Sequence, residues 1–352
     1  MLAVFSVGIF SQIVRTDLQT VFGRRKRAVD VLSDVLRAVR LTGAVFFDFR
    51  ASEPLRAQTP SMALVGQRLV PGAGQVIPFH IMMRGRCWVE AIDAGVPPLE
   101  FHEGDIVVYP HGHGHIFVTN LGDRVAPDLD AYRRPSGQPL PIMVNLGDHG
   151  PPVLRFVCGY LACDTAPFNP LLDALPSQVV ARRPPEGNHI EVDLIYAAVI
   201  ESETHRPGGE AILARLSELL FVRAIRRFIE TLPENSEGWL AGLRDPHIGR
   251  ALQLIHGDPA RNWTLEGLAR ECGMSRAVFA ERFARMVGDT PMRYLARWRM
   301  QVASHLLFQP NIAVEAVAEQ VGYRSEASFS RAFKNIVGTS PGSWRRSRPS
   351  GS

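Results

Sequence analysis

Two groups of residues in this 352-residue chain have types and spacing suited to chemistry. The first is a set of imidazoles and thiols, His80, His115, Cys158 and Cys163, with His111 and His113 leading into His115. Imidazole and thiolate both suit zinc or another divalent metal, and a thiol among imidazoles can respond to oxidants. His111, His113 and His115 alternate, and on a strand alternate residues share one side. The plainer reading of each cysteine is a small buried apolar residue. The chain has four cysteines, Cys87, Cys158, Cys163 and Cys272. That is too few for a disulfide scaffold at this length and suits a reducing compartment.

The second group is a repeat. Ser275, Phe279, Phe283, Gly288 and Pro291 recur 50 residues later as Ser325, Phe329, Phe333, Gly338 and Pro341. Upstream, Ala269 and Gly273 recur as Ala318 and Gly322 at an offset of 49. The chemistry on offer is recognition of a polyanion. Each serine is followed by a segment whose outward positions are small or charged. In the first copy these are Arg276, Ala277, Ala280, Glu281 and Arg285; in the second, Glu326, Ala327, Ser330, Arg331 and Lys334.

The elements that must position these residues follow from local rules. Thr264 is a good N-cap for Leu265–Glu271, and Gly273 supplies the positive φ of a tight turn. Ser275 caps a second helix ending before Gly288, with Phe279, Phe283, Met286 and Val287 on one face by i, i+4 and i+7 spacing. In the second copy Val314, Val317, Ala318 and Val321 predict the first helix. Gly322-Tyr323 turns, and Ser325 caps a helix expected to bury Phe329, Phe333 and Ile336. Met292–Phe308 between the copies predicts a rigid linking helix of about 25 Å at 1.5 Å per residue. Each repeat is thus a helix-turn-helix. Small outward residues admit close approach to base edges; Arg331 can read guanine and Glu281 can accept from cytosine. Helix N-termini with Arg276, Arg324, Arg331 and Lys334 can contact phosphates.

Charge supports this division. The whole chain carries +4, yet residues 246–352 hold 15 basic and 8 acidic residues, a net +7, leaving the remainder at −3. A basic end on a slightly acidic body suits a module that meets nucleic acid. Hydrophobic residues make up 46% and charged residues 21%, which excludes a mostly disordered chain. The longest apolar run, Met1–Phe10, is too short to span a bilayer, and no basic residue precedes it as in a secretory signal. Residues 1–28 read as a loosely ordered extension. From about Val29 to residue 189, short apolar runs lie between Gly and Pro turns: Ala44–Phe49, Gln75–Met83, Cys87–Ile92, Asp105–Tyr109, His115–Thr119 and Val153–Leu161. Many short strands of this kind predict a β-sandwich or small barrel. Residues 190–245 change to helical period. Ile212, Leu213, Leu216, Leu219, Leu220, Val222, Ile225 and Ile229 form a wide stripe, for packing on the barrel or for dimerisation.

Trp263–Arg346 resembles the C-terminal DNA-binding domain of AraC/XylS-type bacterial transcription regulators. The stretch Ala318–Gly338, AEQVGYRSEASFSRAFKNIVG, followed by Pro341, is close to that family's signature. The resemblance implies an all-α domain with two helix-turn-helix motifs, at about 264–288 and 313–338. It also implies that Ala277, Ala280, Glu281, Ala327, Ser330 and Arg331 face DNA bases. The implied partners are double-stranded DNA, RNA polymerase and, in a homodimer, a second copy, in the cytoplasm. The first copy departs from the family pattern, since many members have a basic or polar residue in place of Glu281.

Gly104–His115, GDIVVYPHGHGH, resembles the second motif of cupins. With Pro78-Phe79-His80, Gly85 and the run Cys87–Ile92, it is similar to the cupin-type sensor on some AraC-type regulators. The resemblance implies a β jelly-roll that receives a small-molecule effector or a redox or metal signal. In catalytic cupins two His and a Glu join the second-motif His around a metal. Here Met82 stands where the second ligand is expected, and Glu90 is the candidate carboxylate. The sequence therefore reads as a regulator, not an enzyme; the alternative is a metal-dependent cupin enzyme with an accessory helical domain.

Overall fold

The computed structural model describes residues 29–347 except 93, 130–141, 147–149, 184–192, 195, 198–199 and 201–206. The expected extension, residues 1–28, lies outside the described residues.

The N-terminal half opens with α1 (Val31–Ala38), capped by Asp30, whose carboxylate accepts from the Ser33 amide. Among the described residues, ten strands and two short helices follow. These are β1 (Thr42–Ala51), β2 (Arg56–Thr59), α2 (Met62–Leu69), β3 (Gln75–Arg84), β4 (Arg86–Ala91) and β5 (Leu99–His102). Then come β6 (Ile106–Val108), β7 (His115–Val118), β8 (Ile142–Leu146), β9 (Leu154–Cys163), α3 (Pro170–Ala174) and β10 (Val179–Ala181). They form a six-stranded sheet, β10-β6-β3-β9-β1-β8, and a four-stranded sheet, β2-β7-β4-β5. All pairings are antiparallel except β1 with β8.

The two sheets face each other. Phe117 of β7 stacks on Phe156 of β9 at 4.9 Å, and Phe156 stacks on Phe49 of β1 at 5.0 Å. Even-numbered residues of β9 thus point inward and odd-numbered ones outward, as the two-residue period requires. The expected strand runs correspond to β1, β3, β4, β6, β7 and β9. The sequence reading missed β2, β5, β8 and β10, all five residues or fewer.

The outer face of the larger sheet is covered by α4 (Gly209–Thr231), which buries Leu213, Leu220, Phe221 and Ile225. Gly43 of β1 lets the helix backbone approach, since a Cβ there would collide with Ala214 and Ser217. The predicted apolar stripe is therefore mostly spent on the barrel. Ile212 and Leu219, expected in the same stripe, stay exposed at 44% and 42%.

The C-terminal half is helical: α5 (Trp239–Gly242), α6 (Ile248–Gly257), α7 (Leu265–Glu271), α8 (Arg276–Val287), α9 (Pro291–Leu306), α10 (Val314–Gln320), α11 (Glu326–Val337) and α12 (Pro341–Arg346). The apolar core runs without a break from the barrel into α5, α6, α7, α8 and the first half of α9. Tyr294 of α9, 1% exposed, hydrogen-bonds Trp239 Nε1 at 3.0 Å and His256 Nε2 at 2.9 Å. The second repeat has its own small core of Met300, Ala303, Leu307, Val317, Ala318, Val321, Phe329 and Phe333. Ile336, expected to be buried with the two phenylalanines, is 36% exposed. Ile336 lies off the i, i+4 row on which Phe329, Phe333 and Val337 meet this core, and Trp344 packs there too. No helix among the described residues is long and apolar enough to cross a membrane.

Candidate nucleic-acid interface and a buried histidine chain

Both repeats form helix pairs, with side-chain caps on both helices of the first pair and on the second helix of the other. Thr264 Oγ1 accepts from Gly267 N, and Ser275 Oγ accepts from Val278 N at the start of α8. Ser325 Oγ accepts from Ser328 N at the start of α11. The turn glycines Gly273 and Gly322 and the C-cap glycines Gly288 and Gly338 all have positive φ, between 68° and 87°. The caps orient each second helix, and its paired phenylalanines fix its rotation. Phe279, Phe283, Phe329 and Phe333 are all fully buried. The opposite faces look outward. Arg276, Ala277, Glu281 and Arg285 are exposed on α8, with Ala280 half-buried. Glu326, Ala327, Arg331 and Lys334 are exposed on α11, with Ser330 half-buried. Between the pairs, α9 has 16 residues, a rod of about 24 Å at 1.5 Å per residue.

The two faces differ in charge. On α8, Arg276 pairs with Glu266 at 2.7 Å and Arg285 with Glu237 at 3.3 Å. Arg282 pairs with the buried Asp245. On α11, the bond that Arg331 makes among the described residues is a long one to the Ala327 carbonyl at 3.4 Å. Lys334 and the neighbouring Arg324 have no ion-pair partner among the described residues. Of these two outward faces, the one with arginine and lysine side chains free of ion pairs among the described residues is that of the second repeat.

The imidazoles and thiols are placed by pairing across the sheets. His80 of β3 lies opposite Cys158 of β9, both pointing into the barrel. His115 begins β7 in the facing sheet. His80 and His115 are fully buried and Cys158 is 2% exposed. Their contacts form a chain. His115 Nδ1 meets the His113 carbonyl at 3.0 Å, His115 Nε2 meets His80 Nε2 at 2.6 Å, and His80 Nδ1 meets Cys158 Sγ. One carbonyl fixes every proton. A carbonyl only accepts, so His115 Nδ1 carries hydrogen and donates, leaving its Nε2 as acceptor. His80 then donates from Nε2, and its Nδ1 accepts from the Cys158 thiol. All three groups are neutral. Burial pushes His115 down to about 3 and, together with the neighbouring His115, holds His80 well below the ordinary imidazole value. Burial first, then Asp48 and Cys87, keeps the Cys158 thiol well above the usual range.

The surroundings enforce this. Tyr109 stacks on His115 at 4.0 Å, nearly parallel, and its hydroxyl accepts from Gln178 Nε2 at 2.9 Å. Phe117 meets the edge of His80 at 4.8 Å. Cys87 is buried nearby, its thiol pushed up to about 12 by burial. Sequence reasoning singled out neither Tyr109 nor Gln178, because nothing local marks which residues converge across two sheets.

This geometry does not fit one tetrahedral metal held by the expected set. His80 presents opposite ring edges to Cys158 and His115, so a single ion cannot face all three. Cys163 is not brought to them: five residues from Cys158 on one strand, it faces the other side of the sheet. Its sulfur lies 4.0 Å from Asn169 Nδ2. Glu90 does not turn inward either; it pairs with Arg124 at 2.8 Å. His111 is held by the Leu175 carbonyl at 2.9 Å, outside the chain. Among the described residues, no group of three His, Cys, Asp or Glu side chains is arranged to hold a metal.

Comparison with known proteins decides what this arrangement belongs to. A cupin family model matches residues 30–230, more than half the chain, and a helix-turn-helix domain model matches residues 268–347. An AraC-like transcription regulator of Streptomyces lividans is 32% identical over 276 residues, covering 78% of this chain and 88% of that protein. The regulator AlkR of Acinetobacter baylyi is 32% identical over 257 residues, covering 70% and 80%. The solved DNA-binding domain of AdpA in complex with a target DNA is 29% identical, covering 30% of this chain and 99% of that one, with a TM-score of 0.28. The chain belongs to the AraC-type transcription regulators. In this AraC-type protein the cupin half carries the buried chain and the helical half carries the twin helix-turn-helices. The alternative of a metal-dependent cupin enzyme gives way, since the relatives are named as transcription regulators. As a regulator of this type it binds double-stranded DNA through the helical half.

Proposed function

We propose that this regulator reads its operator mainly with α11, and that the cupin half senses a signal that alters DNA affinity. The supporting observation is the charge asymmetry of the repeats. Arg324, Arg331 and Lys334 are free of acidic partners among the described residues, whereas the arginines of α8 are paired. In this reading Arg331 and Ser330 contact base edges beside Ala327, Glu326 accepts from a base amino group, and Lys334 and the Ser325 end of the helix contact backbone. Ala277, Ala280 and Glu281 give α8 a close but less charged approach, with Ser275, Arg276 and Arg285 at its margin. The rod of α9 sets the two helices roughly one duplex turn apart, along one face of the DNA.

The sensed signal is a small effector or a redox change. The closed, neutral His115–His80–Cys158 chain favours a role in holding the barrel over direct metal ligation, and its buried, protonated thiol is shielded from oxidants until the barrel opens. RNA polymerase is the expected further partner, in the cytoplasm. The exposed Ile212 and Leu219 on α4 are the candidate dimer contacts.

The test is selection of genomic fragments by the purified full chain, followed by mobility-shift titration at fixed salt. A preferred sequence with half-sites about one turn apart supports the reading, and its loss in Arg331→Ala supports the assignment of α11. Equal affinity for all fragments, or an unaffected Arg331→Ala, overturns it.

A further inference from the structure

Arg299 sits where the two cores of the helical half adjoin on α9. Trp298 before it belongs to the core shared with the first repeat, and Met300 after it belongs to the small core of the second. The Arg299 guanidinium is half-buried and leaves the helix toward both repeats. Its Nε donates to the Pro259 carbonyl at 2.7 Å and its Nη2 to the Arg261 carbonyl at 3.0 Å. Its central carbon lies 5.6 Å from the centroid of the Tyr323 ring, within the range of a cation–π contact.

These partners belong to different helix-turn-helices. The 259–261 loop leads into Thr264, the cap of α7, and is held on the first repeat. Arg261 lies over the Trp263 ring at 3.9 Å and pairs with Glu271 at the end of α7 at 3.3 Å. Trp263 Nε1 donates to the Asp258 carbonyl at 2.9 Å. Tyr323 belongs to the second repeat. It follows the turn glycine Gly322 and stands two residues before Ser325, the cap of α11. Its ring meets Phe329 edge-on at 5.7 Å. Arg299 therefore ties the entry of one helix-turn-helix to the turn of the other.

The length of α9 sets a distance between the repeats, but a helix shared by two separate cores can bend where they adjoin. A bend of about 15°, gentler than the kinks that proline causes, moves a point about 12 Å along the rod by about 3 Å, close to the rise of one base pair. A planar fork with two bonds to one loop and a ring on its other side opposes such a bend. We propose that Arg299 is a positioning residue that fixes the separation of α8 and α11, and thereby the half-site spacing that the protein accepts. The choice of spacing rests on the proposed placement of these helices on DNA; their separation does not.

The experiment has two readouts on the full chain. The first is the distance between spin labels on Val278→Cys in α8 and Asn335→Cys in α11. Both positions are exposed and outside the DNA-facing sets, and the four native cysteines are buried and stay unlabelled. The expected result is one narrow distance in the parent chain and a distribution broadened by about 3 Å in Arg299→Met, which keeps the apolar stem and removes the donors. Arg299→Lys, with one ammonium for two carbonyls, gives an intermediate width. The second readout is operator affinity at fixed salt, with one base pair added or removed between the half-sites. Either change should cost the parent chain about tenfold and Arg299→Met less than about threefold. Lys334→Ala is the contrast, weakening every spacing alike and leaving the preference intact. An unchanged label distance in Arg299→Met overturns the proposal, as does weakening by the same factor at every spacing, the mark of mere destabilisation. Should Arg299→Met fail to fold by near-ultraviolet circular dichroism, Arg299→Lys decides by the same criteria. A parent chain indifferent to spacing, with labels still spread by Arg299→Met, overturns the operator reading alone.

Discussion

Gln301 of α9 accepts a hydrogen bond from the backbone amide of Phe168, 133 residues earlier, at 2.9 Å. Its Nε2 donates to the Ala38 carbonyl at 2.6 Å, and the side chain is 1% exposed. The helix joining the two DNA-binding units is thereby bonded to two backbone positions of the cupin half. Arg297, one turn earlier, lies 3.9 Å over the Phe168 ring and 3.4 Å from Asp173. Any signal that shifts α1 or the chain around Phe168 reaches α9 through these bonds.

Gln301→Leu leaves the buried Phe168 amide without its acceptor, while the Ala38 carbonyl keeps His305 Nε2. One orphaned buried amide costs about 1–3 kcal/mol, which the variant should lose in urea unfolding. An unchanged midpoint would mean that the two halves do not rely on this bond. Because the second repeat has a core of its own, near-ultraviolet signals from Trp344 should persist after the rest has begun to unfold.

The buried histidine chain sets a pH dependence. In the unfolded chain an imidazole titrates near 6.5, whereas burial lowers folded His115 to about 3. His256, also buried, is lowered to about 3. Between those pH values the unfolded state binds more protons, so stability falls as pH falls through this window and is full above it. Unfolding midpoints at pH 7.5, 6 and 5 should decline in that order. A flat profile would contradict neutral, desolvated imidazoles. Cys158→Ser keeps a donor to His80 and should be tolerated better than Cys158→Ala, which strands His80 Nδ1 at about 1–3 kcal/mol.

On the DNA face, Arg331→Ala and Lys334→Ala should separate two roles. Loss of a base-reading arginine costs about 1–3 kcal/mol and relaxes specificity at one base pair; loss of a phosphate-contacting lysine weakens all sequences alike and lowers the salt slope by about one. Arg285→Ala should matter less, since Glu237 already holds that side chain. Phe333→Ala acts otherwise, removing a fully buried ring at a cost of about 3–5 kcal/mol in folding. Binding isotherms at two salt concentrations, with melting curves for each variant, check all four.

How much could be read in advance depended on sequence separation. The helix-turn-helix units are local: a cap, a glycine and two phenylalanines within about 25 residues define each, and duplication makes the pattern visible twice. The barrel site is not local. His80 and Cys158 meet across 78 residues because β3 and β9 pair in one register. Short strands such as β2 and β10 carry too few residues for an alternation to show. Cys163 and Glu90 went astray for the same reason: each has a suitable side chain, and only strand parity decides which side of the sheet it faces.

The repeat makes two turn glycines equivalent in sequence. Gly273 and Gly322 both turn their helix pairs with positive φ, 68° and 81°. An alanine at either position adopts a left-handed conformation at about 1–2 kcal/mol. Their surroundings differ. A Cβ on Gly273 meets nothing within 4 Å, whereas one on Gly322 falls against the backbone of Ala260. That loop carries the Pro259 and Arg261 carbonyls that accept from Arg299, at 2.7 and 3.0 Å. Gly322 is therefore where the second repeat seats against the first. Gly273→Ala should show only the conformational cost, and Gly322→Ala a larger loss of stability together with weakened operator binding, because displacing the 259–261 loop alters how the two repeats are set. Equal melting temperatures for the two variants would mean that the second unit does not lean on that loop.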